Sequence, residues 1–167
     1  MRTAAPDRGP RNLAVFGAAV AASAILGSLA TQPGSHWYRR LDLPSWQPPA
    51  AAFPIVWTAL YADIAATSAA TVTELERRGR TDEARAYRRA LAANLTLNTL
   101  WSVLFWRARR LDLATVEAGL LAASSADLAR RAAAGSPRSG ALLMPYAAWT
   151  GFATALTAAI ARRNPRP

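Results

Sequence analysis

Neither cysteine nor lysine occurs in this 167-residue chain, and histidine occurs once, as His36. Without cysteine there is no disulfide framework, no thiolate metal site and no cysteine nucleophile. A single histidine excludes a multi-histidine metal site and a paired-histidine acid/base mechanism, so no metal centre is expected. Acidic residues are scarce too: 10 Asp and Glu stand against 20 basic residues, every one an arginine, for a formal charge of +10. The mean hydropathy is only +0.06 although 52% of the residues are hydrophobic. That average looks too low for a membrane protein and too high for a basic nucleic-acid-binding domain.

Locating the charges resolves the conflict. No residue is charged from Asn12 to Ser35, nor from Ser139 to Ala161. Each run exceeds the ~20 residues that a helix needs to cross a bilayer core. Leu43 to Ala62 is also uncharged, and beyond Asp63 the run resumes to Thr73. Ala90 to Trp106 adds 17 uncharged residues, and Leu111 to Ala129 is apolar but carries Asp112, Glu117 and Asp127. The arginines cluster between these runs and pull the mean down. The pattern predicts an all-α integral membrane bundle forming one domain over 1–167. Its five transmembrane helices are expected at about 12–31, 51–73, 86–107, 111–130 and 140–162, with an ordered, Pro-rich lid loop at 32–50.

Two other readings compete. Arg2, Arg8 and Arg11 precede the first run as in a signal peptide, but Ser28-Leu29-Ala30 is a poor cleavage motif and the run is longer than an h-region of about 7–15 residues. A soluble Ala-rich bundle would have to bury two uncharged helices on every face, which a domain this small can hardly do. Twelve arginines flank the N-terminal, second and fourth connections, against eight on the other side, which favours a cytoplasmic N-terminus. Arginine at membrane flanks serves as topology signal and headgroup anchor, so no nucleic-acid partner is expected.

Six tryptophans are many for this length. Trp57, Tyr61 and Ile64 share one face of the second helix, Asn98, Trp101, Ser102 and Phe105 one face of the third, and Trp149, Phe152, Ala153 and Leu156 one face of the fifth. Such stripes also arise from packing and lipid contact. Asn98 and Ser102 favour the inward reading, because polar groups inside a membrane turn to the bundle interior and pair there. An aromatic cavity with a few polar groups suits a flat, largely apolar ligand. Trp106, at the end of the third helix, reads as an interface anchor. Glu117, Ser124 and Asp127 share a face of the fourth helix, where interhelical hydrogen bonds or an Arg partner are preferred over an ion path. Small-residue spacings such as Gly17/Ala21, Ser23/Gly27 and Gly151/Ala155 allow close helix approach.

The string Trp37-Tyr38-Arg39-Arg40-Leu41-Asp42-Leu43-Pro44-Ser45-Trp46-Gln47-Pro48-Pro49, followed by Phe53, Val56-Trp57 and Leu60-Tyr61, closely resembles the first loop and second helix of the TspO/MBR family. Leu97-Asn98 with Trp101-Ser102 and Phe105 resembles its third helix, Leu113-Ala114-Thr115-Val116-Glu117 its fourth, and Pro145-Tyr146 with Trp149 and Phe152-Ala153-Thr154 its fifth. The resemblance runs from about residue 12 to 164. It implies a five-helix membrane bundle, often a homodimer, with a pocket beneath the first loop, and the all-arginine composition fits a GC-rich bacterial genome and hence a bacterial cell membrane. Family members bind porphyrins and other tetrapyrroles, isoquinoline and benzodiazepine drugs and, in animals, cholesterol. Some bacterial members are reported to degrade protoporphyrin with light and oxygen.

Carried over by position, the ligand-binding set is Tyr38, Trp46, Pro49, Trp57, Tyr61, Asn98, Ser102, Phe105, Trp149 and Ala153, and Trp57 with Trp149 would be catalytic only in a photo-oxidative reaction. The expected ligand is a tetrapyrrole, no cofactor is required, and the roles implied are sensor or carrier, transporter, or porphyrin-degrading enzyme. Two positions depart from the family. Leu43 replaces a lysine before the loop proline, and Leu156-Thr157-Ala158 replaces Leu-Asn-Tyr, which puts sterol recognition through a Leu-x-Tyr-x-Arg motif in doubt.

Overall fold

The structure is a computed structural model and describes residues 8–165; Arg2 and Arg166 of the topology count lie outside the described residues. The chain is all-helical: α1 Gly9–Ala30, a short α2 His36–Arg39, α3 Ala52–Arg77, α4 Thr81–Ser102 continuing as a π-helical turn Val103–Arg107, α5 Leu111–Gly135 and α6 Pro137–Arg163. Local chemistry sets several of these limits. Pro10 in the first turn of α1 costs no hydrogen bond, because that N–H has no intrahelical partner. Gly79 takes a left-handed φ of 73° between α3 and α4, a conformation that suits glycine. Asp82 and Glu83 then meet the positive end of α4.

The long helices run close to the expected spans, with two corrections. The connection expected at 130–139 shrinks to Ser136. This residue accepts from the Ser139 N–H (3.1 Å) and caps α6, and Pro137 occupies its first turn. Hydropathy gives the second correction. α1 and α3 hold windows apolar enough to cross a membrane, at mean hydropathies of 2.1 and 1.3, whereas α6 does not reach that level. Absence of charge is not apolarity: Thr, Trp, Tyr, Gly and Pro145 dilute α6 without charging it.

α1 lies against α3 and α4, α5 pairs with α6 and α4, and α3 touches α4, α5 and α6. Of the glycines the spacing suggested, Gly27 makes a close approach and Gly17 and Gly151 do not, and the tightest approach is at Gly140, outside those spacings. Gly17 and Gly151 have open space where a side chain would go, while a Cβ on Gly27 would meet Ser102 Oγ at 3.4 Å. On Gly140 it would lie 2.7 Å from Ala133 Cβ and 3.1 Å from the Ala129 carbonyl. Gly140→Ala is therefore expected to force α5 and α6 apart and cost about 1–3 kcal/mol; an unchanged unfolding midpoint in detergent would refute that packing.

The two ends of the bundle differ. At the end holding the α3–α4 turn, Glu76 accepts from Arg88 Nη2 (2.6 Å) and Asn12 Nδ2 (3.3 Å), with Arg8 at 4.0 Å. Burial opposes ionisation of Glu76, yet these hydrogen bonds and charges hold its carboxyl below the usual range. Arg80 Nη1 donates to the Ala134 carbonyl (2.7 Å) and closes the end of α5. The opposite end carries the lid.

Candidate functional site

The segment from Thr31 to Ala51 connects α1 to α3 and is fastened to the bundle at Trp37 and at Asp42. Asn164 at the end of α6 grips the backbone of Asp42 from both sides: its Oδ1 accepts the Asp42 N–H (2.9 Å) and its Nδ2 donates to the Asp42 carbonyl (3.1 Å). Arg163 adds an ion pair to the Asp42 carboxylate at 3.3 Å. Earlier in the lid, Trp37 lies edge-on to Phe105 at 5.7 Å, and the Arg109 guanidinium stands 5.6 Å from the Trp37 ring. Arg109 itself holds a positive φ of 54°, which is uncommon outside glycine and closes the short α4–α5 connection.

The π-helical turn decides what the lid covers. Its i→i+5 bond, from the Ala108 N–H to the Val103 carbonyl (2.9 Å), widens the helix so that the consecutive Phe105 and Trp106 are both buried. Trp106 is thus no interface anchor. It packs against Tyr38 at 4.7 Å, and Trp101 stacks on Phe105 at 5.0 Å. Gln47 Nε2 donates to Tyr38 Oη (3.1 Å), tying the two halves of the lid together.

A second aromatic group lies between α3 and α6. Trp57 is tilted against Tyr61 (5.3 Å) and edge-on to Tyr146 (6.4 Å). Trp149 is tilted against Phe152 (5.3 Å) and edge-on to Phe53 (6.0 Å), and Phe152 meets the lid residue Trp46 at 5.8 Å. Two tyrosine hydroxyls anchor this group to α4: Tyr61 Oη donates to Asn98 Oδ1 (2.8 Å) and Tyr146 Oη to Asn94 Oδ1 (2.7 Å). Asn94 Nδ2 in turn donates to Ser124 (3.2 Å) and Ser125 (3.1 Å) of α5.

Of the residues expected at the site, Tyr38 and Phe105 therefore fall in the lid cluster. Tyr61 and Asn98 share the α3–α4 contact, Trp57 lies against Tyr61 and Tyr146, and Trp46 and Trp149 meet through Phe152. Ala153 is half-buried beside Phe152. Pro49 is exposed at the start of α3, where its carbonyl accepts the Ala52 N–H, and Ser102 faces Gly27 of α1. Phe53, Phe152, Tyr146 and Asn94 belong to the same constellation and were outside the expected set. Spacing held a signal for two of them: Phe152 stands three residues after Trp149, and Asn94 four before Asn98. A groove of about 560 Å³ lined by Leu13, Ala66, Ala70, Thr73 and Arg77 shares no residue with this set and opens at the other end.

The acidic positions separate. Asp127 pairs with Arg130 at 2.6 Å and with Arg131, and Ser124 meets Asn94, as interhelical or Arg pairing predicts. Asp63 accepts from Thr67 Oγ1 at 2.8 Å. Glu117 is buried and neither of its oxygens has a hydrogen-bond partner. Among the described residues no cluster of three His, Asp or Glu side chains is placed to hold a metal. What the arrangement offers chemically is flat aromatic faces, two anchored amides and a closed lid.

Comparison with known proteins gives a match of residues 15–163 to the family model described as the TspO/MBR family. The chain is 35% identical over 131 residues to the translocator protein of Sus scrofa, covering 78% of this chain and 76% of that protein. It is 33% identical over 149 residues to the tryptophan-rich sensory protein of Cereibacter sphaeroides, covering 89% of each. To the protein CrtK of Rhodobacter capsulatus it is 32% identical over 153 residues, covering 91% of this chain and 92% of that one.

Proposed function

This chain belongs to the TspO/MBR family of membrane proteins, and from that premise we propose that it binds tetrapyrroles and similar flat apolar ligands within the bundle. All five long helices cross the membrane in this reading, and the protein acts as sensor or carrier in a bacterial membrane. The relatives' names, translocator protein and tryptophan-rich sensory protein, agree with those roles. One observation carries the proposal: Trp46 of the lid, Phe152, Trp149 and Phe53 follow one another in a single run of aromatic contacts under a fastened lid. Indole and phenyl faces stack on a planar macrocycle without demanding directional bonds, and the Asn98 and Asn94 amides supply the few oriented polar groups such a site uses.

The test is quenching of tryptophan emission by protoporphyrin in the purified full chain. Saturable quenching is expected, and purely linear, non-saturating quenching would overturn the proposal. Transport is a second role for the same site, supported by the translocator name, and is read by porphyrin flux across vesicles containing the protein. Binding without flux assigns the sensor or carrier role.

A further inference from the structure

Trp101 and Glu117 are the two described residues with buried side-chain polar atoms that lack a hydrogen-bond partner: the indole Nε1 and both carboxylate oxygens. Glu117 is only 4% exposed. The two residues lie at one level of the fold. Asn94 of α4 donates to Ser124 of α5, which sets the antiparallel register of this helix pair. Trp101 is seven residues further along α4 from Asn94, and Glu117 is seven residues back along α5 from Ser124. Seven residues make nearly two helical turns, so both side chains return to the facing sides of their helices, ~10 Å nearer the lid. There the Trp101 ring stacks on Phe105, which touches Trp37 and Tyr38 of the lid segment.

A buried carboxyl without a partner is costly, and a leucine at 117 would fill the α4–α5 contact without that cost. Features that cost stability concentrate where they serve function. An indole N–H and a carboxyl at one level of two facing helices are together complementary to a group that both accepts and donates a hydrogen bond. A site with buried polar groups also discriminates sharply against ligands that leave those groups unpaired.

We propose that Trp101 and Glu117 form a specificity-determining subsite between α4 and α5, which takes an edge group of the carboxamide or carboxylic-acid class from the bound ligand and disfavours an ester or alkyl edge. This rests on the tetrapyrrole reading, in which the propionic side chains are the edge groups of that class. The neutral diamide of protoporphyrin keeps a donor and an acceptor at each edge, and the dimethyl ester keeps only acceptors.

Fluorescence titration of the full chain in detergent with these two probes tests the subsite, for the native chain, Glu117→Leu and Trp101→Phe. The native chain is expected to bind the diamide about tenfold more tightly than the ester, and each variant to lose that preference to within about twofold. Equal affinity of the native chain for the two probes overturns the subsite and leaves the tetrapyrrole reading standing. Failure of both probes to bind overturns both readings. A ligand-free measurement guards against a purely structural role. Glu117→Leu is expected to unfold at the same or a higher temperature than the native chain, because an unpaired carboxyl is removed; a lower midpoint would mean that Glu117 holds a structural partner, and overturns the proposal.

Discussion

Asn94→Ala is expected to destabilise the bundle by about 2–4 kcal/mol, the largest loss from any single polar substitution away from the lid. Asn94 is fully buried and joins three helices: it accepts from Tyr146 Oη of α6 and donates to Ser124 and Ser125 of α5. Ser125 keeps its bond to the Leu121 carbonyl (2.8 Å), so the cost falls on the Tyr146 hydroxyl and on the lost α4–α5 contact. In an interior without water, no solvent molecule replaces the amide. Each interhelical bond is worth about 0.6–1.7 kcal/mol in such surroundings, and the emptied space adds to the sum. The unfolding midpoint in detergent should fall by roughly 5–15 °C. Tyr146→Phe breaks one of the three bonds and sets the scale. If Asn94→Ala costs no more than Tyr146→Phe, Asn94 is not the joint between these helices.

Trp149→Ala is expected to weaken protoporphyrin binding about a hundredfold, as loss of a central aromatic contact does at well-packed sites. Trp149 is half-buried, edge-on to Phe53 and tilted against Phe152, which carries the lid residue Trp46. Alanine there removes a stacking face and the support of the lid together. Trp149→Phe retains a ring and is expected to hold affinity within about tenfold. Trp57→Phe and Trp149→Phe also separate binding from photo-oxidative degradation. If the two indoles carry that chemistry, illuminated porphyrin with oxygen disappears more slowly in either variant than in the native chain. Equal loss in all three, or equal loss in the dark, excludes a role for them.

Much of the architecture was legible because charge is so unevenly spread. The arginine clusters bracket the helices, and Pro44, Pro48 and Pro49 mark the lid as a segment that cannot continue a helix. What stayed hidden depended on backbone detail. The place of Trp106 at the end of the third helix suggests an interface anchor; the π-helical turn that buries it leaves no mark in composition. Gly135, Ser136 and Pro137 look like a loop between helices, yet a Ser–Pro pair also starts a helix. Aromatic spacing places rings along three helices but does not say which of them meet across those helices. Phe53 and Tyr146 join the cluster through contacts between elements far apart in the chain, and a one-dimensional period carries no such information. Glu117 shows the opposite limit: its spacing with Ser124 and Asp127 suggested a partner, and burial left it without one.

The grip of Asn164 on the Asp42 backbone has a kinetic meaning. Two hydrogen bonds to the backbone of one residue must break before the lid can lift, and neither involves an aromatic residue of the site. Such a latch raises the barrier between bound and free without changing the depth of either, so it lengthens residence and slows entry in equal proportion. Ligand exchange is then a clock set at the last turn of α6, independent of how tightly the aromatic faces hold what lies beneath.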